Sequence, residues 1–266
     1  MTTILLAMLV LGVLGGIFGG LLAFASQIFY VKVDPKQAAV REVLAGANCG
    51  GCGYPGCDGY AAAVAKGEAP CNRCVAGGAE TAAKVAEIMG ASNETSEKMV
   101  AFVPCSGCEG HAEMRFNYTG PQDCRAAMLF GGKSNKTCTF ACIGLGNCTR
   151  ACKFDAIHIV EGIAQVDRSK CVGCGACAEA CPKSIIKLLP ASQRVAPGCS
   201  NKNKGAKVMK MCDYGCIGCM KCQRECPADA IKVVDNLAVV DSEKCVACGH
   251  CADVCPRQVI RWFEKA

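Results

Sequence analysis

The sequence predicts an α+β fold made of small, cysteine-rich domains that follow a single N-terminal transmembrane helix. Three observations support this prediction. Twenty-six of the 266 residues are cysteine while only 6% are aromatic, so an ordinary apolar core is not the main source of stability. A segment of 28 residues near the N-terminus has no charged side chain. One pattern of eight cysteines occurs twice, with an offset of 74 residues at every position.

The uncharged segment, Ile4–Val31, predicts the transmembrane helix. As a helix, its 28 residues extend about 42 Å, which is enough to cross a bilayer with some tilt. A cleaved signal peptide is the alternative, but no Lys or Arg precedes the apolar segment, which is also long for a signal. Lys32, Lys36 and Arg41 follow it, so the positive-inside rule predicts a single-pass protein of the cell inner or plasma membrane with cytoplasmic domains.

The next segment, Asn48–Cys57, predicts a helical module that binds one [4Fe-4S] cluster. Together with Cys74 it has the spacing C-x2-C-x4-C-x16-C, and its glycines allow the backbone to fold closely around a cluster. We expect short helices at 58–66 and 79–89. Cys71 is surplus to the pattern and is not expected to bind. The predicted ligands of cluster 1 are Cys49, Cys52, Cys57 and Cys74.

The repeated pattern predicts two tandem domains that resemble bacterial two-cluster ferredoxins. Each unit contains the spacing C-x2-C-x2-C-x3-C, in which three thiolates of one loop bind one cluster and the fourth reaches to the other. β-Branched segments at 157–160 and 231–234, with return strands at 164–166 and 238–240, predict one hairpin in each unit. Structural zinc sites and disulfide scaffolds are the alternatives, and neither usually has this spacing in so long a chain.

The first unit differs from the second at one expected ligand, because Leu145 stands where the second unit has Cys219. Cys138 precedes Cys142 by four residues, so we expect it to replace the missing ligand. Lys153 also replaces the proline that usually follows the fourth cysteine. The predicted ligand sets are Cys138, Cys142, Cys148 and Cys181 for cluster 2; Cys152, Cys171, Cys174 and Cys177 for cluster 3; Cys216, Cys219, Cys222 and Cys255 for cluster 4; and Cys226, Cys245, Cys248 and Cys251 for cluster 5.

The remaining cysteines predict a sixth [4Fe-4S] cluster that joins the two units. Cys124 and Cys199 precede the two units in matching positions, with a slip of one residue, and Cys212 is spare in the second unit. The alternative is a set of structural thiols. The predicted ligands of cluster 6 are Cys105, Cys124, Cys199 and Cys212, with Cys108 as a substitute for Cys105.

The N-terminal span, the CGGCGYPGC motif at 49–57 and the doubled ferredoxin unit together resemble the B subunit of the Rnf complex. The resemblance covers essentially the whole chain and is strongest to the long form with two ferredoxin-like units. It implies an electron-transfer subunit of a translocase: reduced ferredoxin is the donor, a flavin-bearing partner passes electrons to NAD⁺, and Na⁺ or H⁺ is moved outward. The sequence has no nucleotide-binding glycine motif or flavin-attachment site, so we expect no hydride or substrate chemistry on this chain.

Three other functions fit parts of the sequence. A polyferredoxin-type subunit of a membrane hydrogenase or formate-type complex would share the repeats but lack the CGGCGYPGC motif. A catalytic subunit would need a cluster with an open site, whereas each ferredoxin-type cluster here has four candidate cysteines. A non-redox scaffold that binds metal and assembles other subunits would bind zinc and have no EPR signal.

Charge and glycine patterns predict the partners. The formal charge of +6 becomes about −6 when six clusters of about −2 each are bound, so nucleic acid is not an expected partner. Gly12, Gly16 and Gly20 recur on one face of the apolar helix and predict close packing against helices of other subunits. Seven cations without an acid predict either a solvated loop or a docking face for acidic ferredoxin: Lys183, Lys187, Arg194, Lys202, Lys204, Lys207 and Lys210.

The predicted domains follow from these patterns. They are the transmembrane helix 1–31, the N-terminal cluster module 32–90, a linker 91–135 that contributes ligands to cluster 6, the first ferredoxin-like domain 136–190, a basic linker 191–211 and the second ferredoxin-like domain 212–266.

Overall fold

A computed structural model describes residues 2–29, 34–92, 97–131 and 133–263, and it confirms the α+β class. The helices are α1 (Thr2–Ile28), α2 (Pro35–Val43), α3 (Cys57–Ala65), α4 (Gly78–Met89), α5 (Cys124–Gly131), α6 (Asn147–Ala151), α7 (Ala176–Ala180), α8 (Gly205–Met209), α9 (Lys221–Arg224) and α10 (His250–Asp253). The strands are β1 (Met99–Phe102), β2 (Ile157–Val160), β3 (Ile163–Val166), β4 (Lys187–Pro190), β5 (Val195–Pro197), β6 (Ile231–Val234), β7 (Leu237–Val240) and β8 (Ile260–Trp262).

The N-terminal helix α1 contains a segment, Met8–Ile28, that is long and apolar enough to cross a membrane. None of that segment is buried against the rest of the described chain. A helix that is apolar on all sides needs lipid or other helices around it, so this helix is consistent with membrane anchoring. Lys32, one of the cations used to predict orientation, lies outside the described residues.

Three helices form the N-terminal module, as the sequence predicts for α3 and α4. Asp34 begins α2 by accepting a hydrogen bond from the Lys36 backbone N–H at 2.8 Å. The core contains Val40, Val64 and Val85, none more than 1% exposed. Tyr60 is equally buried, and its hydroxyl donates to the Pro70 carbonyl at 2.8 Å. This bond holds the segment before Cys74 against α3.

Both ferredoxin-like units contain the predicted hairpin. In the first unit β2 pairs with β3, and in the second β6 pairs with β7, both antiparallel. The connections are two-residue turns, Glu161-Gly162 and Asp235-Asn236, in which both residues have positive φ. Such turns follow the right-handed twist of the strands and favour Gly, Asn and Asp. The buried side of each hairpin packs into the core of its unit.

A second two-stranded sheet completes each unit and uses a segment that precedes it in the chain. β4 of the first unit pairs with β1, and β8 of the second unit pairs with β5, both antiparallel. The segments that the sequence pattern predicts as linkers therefore contribute strands to the two units. The residues that follow β1 and β5 contact each other, since Ser106 Oγ donates to the Gly198 carbonyl.

Candidate metal centres

All 26 cysteines lie in the described part of the chain, and none forms a disulfide there. In the described residues no group of three Cys, His, Asp or Glu side chains is suited to hold a single metal ion. Instead, five cavities in the described chain are each lined by four cysteines. The other lining residues are mainly apolar or glycine.

Three of these cavities contain the cysteines that the sequence groups together. One cavity is in the first unit and two are in the second. Their cysteines are Cys152, Cys171, Cys174 and Cys177; Cys216, Cys219, Cys222 and Cys255; and Cys226, Cys245, Cys248 and Cys251. The fourth cysteine of each motif thus reaches across its unit, as in the predicted ligand sets for clusters 3, 4 and 5. Their role as ligands stays a prediction.

The other two cavities group the cysteines differently from the predicted sets for clusters 2 and 6, because Cys124 and Cys138 exchange places. The second cavity of the first unit is lined by Cys124, Cys142, Cys148 and Cys181. A central cavity between the units is lined by Cys105, Cys138, Cys199 and Cys212. Cys108 lines neither of these cavities.

Cys124 reaches the first unit because the start of α5 is fixed against the cysteine loop. Asp123 accepts hydrogen bonds from the Arg125 and Ala126 backbone N–H groups, at 2.7 and 2.9 Å, and so begins the helix. Its carboxylate also accepts a bond from the Asn147 amide at 2.9 Å. The Asn147 side chain in turn accepts a bond from the Cys124 backbone N–H at 2.7 Å.

Cys138 is held in the central cavity by the segment that precedes the first unit. Met114 forms a β-bridge with Lys136, and Ala112 forms another with Cys212. These bridges bring Cys138 beside the second unit, where the Asn201 amide donates to its Sγ at 3.3 Å. Nearness to Cys142 in sequence was therefore a poor guide. The repeat itself was a better signal, since Cys138 and Cys212 are equivalent positions and line the same cavity.

Residues of both units surround the central cavity. The Arg261 guanidinium, on β8, donates to the Cys105 carbonyl at 2.8 Å and to Ser106 Oγ at 3.0 Å. Ser106 Oγ donates to the Gly198 carbonyl at 2.9 Å, and Ser200 Oγ donates to the Pro104 carbonyl at 2.8 Å. These bonds connect the segments from the two units that line the central cavity.

Backbone amides point at several of the cysteine sulfurs. The equivalent residues Ala156 and Ala230 donate to Cys152 Sγ at 3.4 Å and to Cys226 Sγ at 3.3 Å. The Cys199 sulfur accepts bonds from two backbone N–H groups, of residues 201 and 216, at 3.4 and 3.5 Å. Such bonds stabilise negative charge on sulfur and are one means of setting the potential of an iron–sulfur cluster.

Burial disfavours the charged form of these thiols. It raises the pKa of Cys148 and Cys199 to about 12, and that of Cys142 and Cys212 to about 11. Iron ligands must be thiolates, so a bound cation has to supply the charge that stabilises them. Four thiols around one cavity are the donor set that a [4Fe-4S] cluster requires.

Three of the four predicted ligands of the N-terminal module, together with Cys71, lie in one core, whereas the fourth, Cys49, does not pack into it. Cys52, Cys57 and Cys71 pack against the buried cluster of side chains that contains Cys74. The Asn48 side chain accepts a hydrogen bond from the Cys57 backbone N–H at 2.8 Å and so closes the loop. Cys71, which the sequence pattern leaves out of the ligand set, packs against the same core as Cys52 and Cys57.

Comparisons with known proteins match these regions. The family model for an Fe-S cluster matches residues 44–76, that for a 4Fe-4S binding domain matches 164–187, and that for a 4Fe-4S dicluster domain matches 215–259. The chain is 46% identical over 261 residues to the B subunit of the Na⁺-translocating ferredoxin:NAD⁺ oxidoreductase complex of Acetobacterium woodii, covering 98% of this chain and 78% of that one.

Two further relatives share nearly the whole length. The B subunit of the proton-translocating ferredoxin:NAD⁺ oxidoreductase complex of Clostridium ljungdahlii is 43% identical over 265 residues, covering 98% of this chain and 93% of that one. The B subunit of the ion-translocating oxidoreductase complex of Methanosarcina acetivorans is 40% identical over 252 residues, covering 94% and 95%. The chain belongs to the family of Rnf B subunits. The predicted resemblance is confirmed, and members of this family are parts of an oxidoreductase complex.

Proposed function

We propose that this member of the Rnf family carries electrons from reduced ferredoxin into a membrane complex that reduces NAD⁺ and moves Na⁺ or H⁺. The main support is the set of five similar cavities, each lined by four cysteines. The N-terminal module, which matches the family model for an Fe-S cluster, adds to it. When bound, [4Fe-4S] clusters supply one-electron transfer without bond making or breaking. Membership of the family supports the same role. The chain itself sets the spacing of the clusters, donates hydrogen bonds to their cysteine ligands and buries those ligands.

The proposed ligand sets follow the cavities, with the N-terminal set taken from the sequence motif. They comprise six clusters: Cys49, Cys52, Cys57 and Cys74; Cys124, Cys142, Cys148 and Cys181; Cys152, Cys171, Cys174 and Cys177; Cys216, Cys219, Cys222 and Cys255; Cys226, Cys245, Cys248 and Cys251; and Cys105, Cys138, Cys199 and Cys212. The domains are cytoplasmic in this proposal, since ferredoxin is a cytoplasmic carrier and thiols stay reduced there.

Anaerobic reduction by ferredoxin tests this function directly. The full chain, purified without oxygen, is titrated with reduced ferredoxin while cluster signals are followed by EPR. We expect the visible absorbance of the chain to bleach and up to about six electrons to be taken up, one for each cluster. A chain that binds zinc and takes up no electrons would contradict the proposal and favour a non-redox scaffold.

The second unit offers the surface on which ferredoxin would dock. Among the cysteines of the described chain, only Cys219 and Cys248 are exposed. Helix α8 packs beside the loop that contains Cys219, because Gly205 lies against the Ile217 carbonyl. Exposed lysines of α8 and its flanks are Lys202, Lys204, Lys207 and Lys210. Basic side chains around an exposed redox site attract an acidic partner and orient it.

Two of the seven cations in the sequence pattern have other roles. The Lys183 ammonium donates to the Lys133 carbonyl at 3.0 Å and to the Thr139 carbonyl, and its burial lowers its pKa. The Arg194 guanidinium lies over the Trp262 ring, 4.4 Å from its centroid. The proposed docking face is therefore narrower than the charge pattern suggests, and it is centred on α8.

Charge reversal tests the docking face. The triple variant Lys204→Glu, Lys207→Glu, Lys210→Glu should slow electron entry from ferredoxin about tenfold or more at low ionic strength, with the difference shrinking as salt is added. The matched control, Lys66→Glu, Lys84→Glu, Lys98→Glu, changes the net charge equally at exposed lysines elsewhere. Equal rates for the two triple variants at low salt would exclude α8 as the docking face.

A further inference from the structure

The N-terminal module touches the first ferredoxin-like unit through a glycine in its cysteine loop. A Cβ atom built on Gly51 would lie 2.9 Å from Cys174 Cα and 3.0 Å from Cys174 Cβ, as well as 2.7 Å from Val75 Cγ2. Atoms do not approach so closely, so a larger residue at 51 would push the two loops apart. Both loops carry predicted cluster ligands: Gly51 lies between Cys49 and Cys52, and Cys174 lines a cavity of the first unit.

Lys153 of the first unit also contacts the N-terminal module beside the same cysteine loop. Lys153 Nζ donates to the Asn48 carbonyl at 2.8 Å and lies 3.5 Å from the Ala47 carbonyl. The Asn48 backbone is well fixed, since its side chain closes the cysteine loop by accepting from the Cys57 N–H. Lys153 directly follows Cys152, another cysteine of the same cavity. The ammonium thus joins the backbone beside one predicted cluster to the loop beside another.

The second unit shows what the contact changes. Position 153 corresponds to Pro227, which has no donor to offer, and Cys174 corresponds to Cys248. Cys248 is exposed, whereas Cys174 is half-buried. Within the described chain, the unit with the lysine is the one whose cysteine loop is covered by the N-terminal module.

We propose that Lys153 and Gly51 form a docking contact that holds the N-terminal module against the Cys174 loop and so sets the rate of electron exchange between them. The proposal rests on the proposed function. One electron leaves the cluster held by Cys152, Cys171, Cys174 and Cys177, which is oxidised, and reduces the cluster held by Cys49, Cys52, Cys57 and Cys74; reduced ferredoxin is the source. Both cluster sites are anionic when loaded, and the Lys153 cation reduces their repulsion. Lys153 is a positioning residue.

Hydrogen exchange of the loaded, full-length chain tests the contact without relying on activity. Lys153→Ala should increase amide exchange several-fold at residues 48–52 and 172–175 and leave residues 245–251 unchanged. Lys153→Arg should restore protection because its guanidinium can also donate to the Asn48 carbonyl. The matched control is Lys170→Ala, which removes an exposed lysine of the same unit that pairs with Asp155 instead. Unchanged exchange in Lys153→Ala would overturn the proposal.

A substitution at Gly51 provides a second test of the docking contact. Gly51→Val should separate the loops and increase exchange at 172–175, while Gly59→Ala, which adds a methyl group inside the module against Pro55, should not. Rapid-freeze EPR after mixing with reduced ferredoxin should show the N-terminal cluster reduced at least about tenfold more slowly in both Lys153→Ala and Gly51→Val. Iron content must stay at the wild-type level in both variants. Full iron with unchanged rates contradicts the docking contact alone, whereas absence of iron in the wild-type chain contradicts the proposed function.

Discussion

The two ferredoxin-like units have the same backbone plan but differ in what covers and completes their cysteine loops. In the second unit Cys219 and Cys248 are exposed and every cavity cysteine comes from the repeat itself. In the first unit Leu145 replaces the equivalent of Cys219, and Cys124 from the preceding segment lines the cavity instead. The Cys174 loop is covered by Gly51. The cysteine loops of the second unit are thus more open than the Cys174 loop of the first, which agrees with the proposed entry of electrons at the second unit.

The largest effect is expected when Cys124, which the preceding segment contributes to the first unit, is removed. Cys124→Ala should remove one to four irons from the first unit, because the cavity then has three thiols, while Cys108→Ala should keep the full iron content. Iron analysis and EPR of anaerobically prepared chain measure the loss. In contrast, Cys138→Ala should alter the signal of the central site. Loss of the same signal in Cys124→Ala and Cys138→Ala would contradict the separate cavities.

A cysteine at position 145, the equivalent of Cys219, should restore the iron that Cys124→Ala loses. In both units the residue before the variable position is a glycine with positive φ, Gly144 at 84° and Gly218 at 66°. The backbone therefore already has the conformation that presents Cys219 in the second unit. Leu145→Cys in the Cys124→Ala background should recover most of the lost iron, whereas Leu145→Ser should not. Equal iron contents in the two double variants would show that the loops are not equivalent.

A smaller effect should come from the amide that positions Cys124. Asn147→Ala removes bonds to the Cys124 N–H and to Asp123, and should lower the free energy of unfolding by about 1–3 kcal/mol. Iron release to a chelator should accelerate accordingly. The equivalent residue of the second unit is Lys221, so Lys221→Ala is the control and should leave release unchanged. Similar release from both variants would argue against the role of Asn147.

The smallest expected effect concerns the hairpin turns. Gly162 has a φ of 71°, and a Cβ atom there would lie 2.9 Å from Glu109 Oε1. Gly162→Ala should therefore destabilise the first unit by about 1 kcal/mol, measured as a lower Tm of the loaded chain. The second unit has Asn236 at this position with a φ of 62°, so Asn236→Gly should change Tm little. A Tm that falls more in Asn236→Gly than in Gly162→Ala would contradict this interpretation of the turns.

Local patterns in the sequence predicted the parts of the molecule that local physics determines. The apolar helix, the hairpins and the motif C-x2-C-x2-C-x3-C each depend on residues close in the chain. The central cavity depends instead on β-bridges between residues far apart, such as Ala112 with Cys212. No spacing rule encodes those bridges, so the sequence pattern groups Cys124 and Cys138 differently from the cavities.

The paired strands show the same limit. The sequence pattern predicts linkers at 91–135 and 191–211, but β1 and β5 within them pair with β4 and β8. A strand of three or four residues has too weak a periodicity to be distinguished from a loop. The sequence likewise gives only an indirect sign of the Lys153 contact, because Lys153 replaces the proline that usually follows the fourth cysteine of the motif. What it binds, the Asn48 carbonyl, is more than a hundred residues away in the chain.

Counting iron and acid-labile sulfide in the full chain, prepared without oxygen, tests the central claim most directly. Six clusters predict about twenty-four iron and twenty-four sulfide ions per chain, with little zinc. About twenty of each would mean five clusters, so that one of the six proposed sets consists of structural thiols. Zinc in place of iron, or cysteines joined as disulfides in that preparation, would contradict the account as a whole.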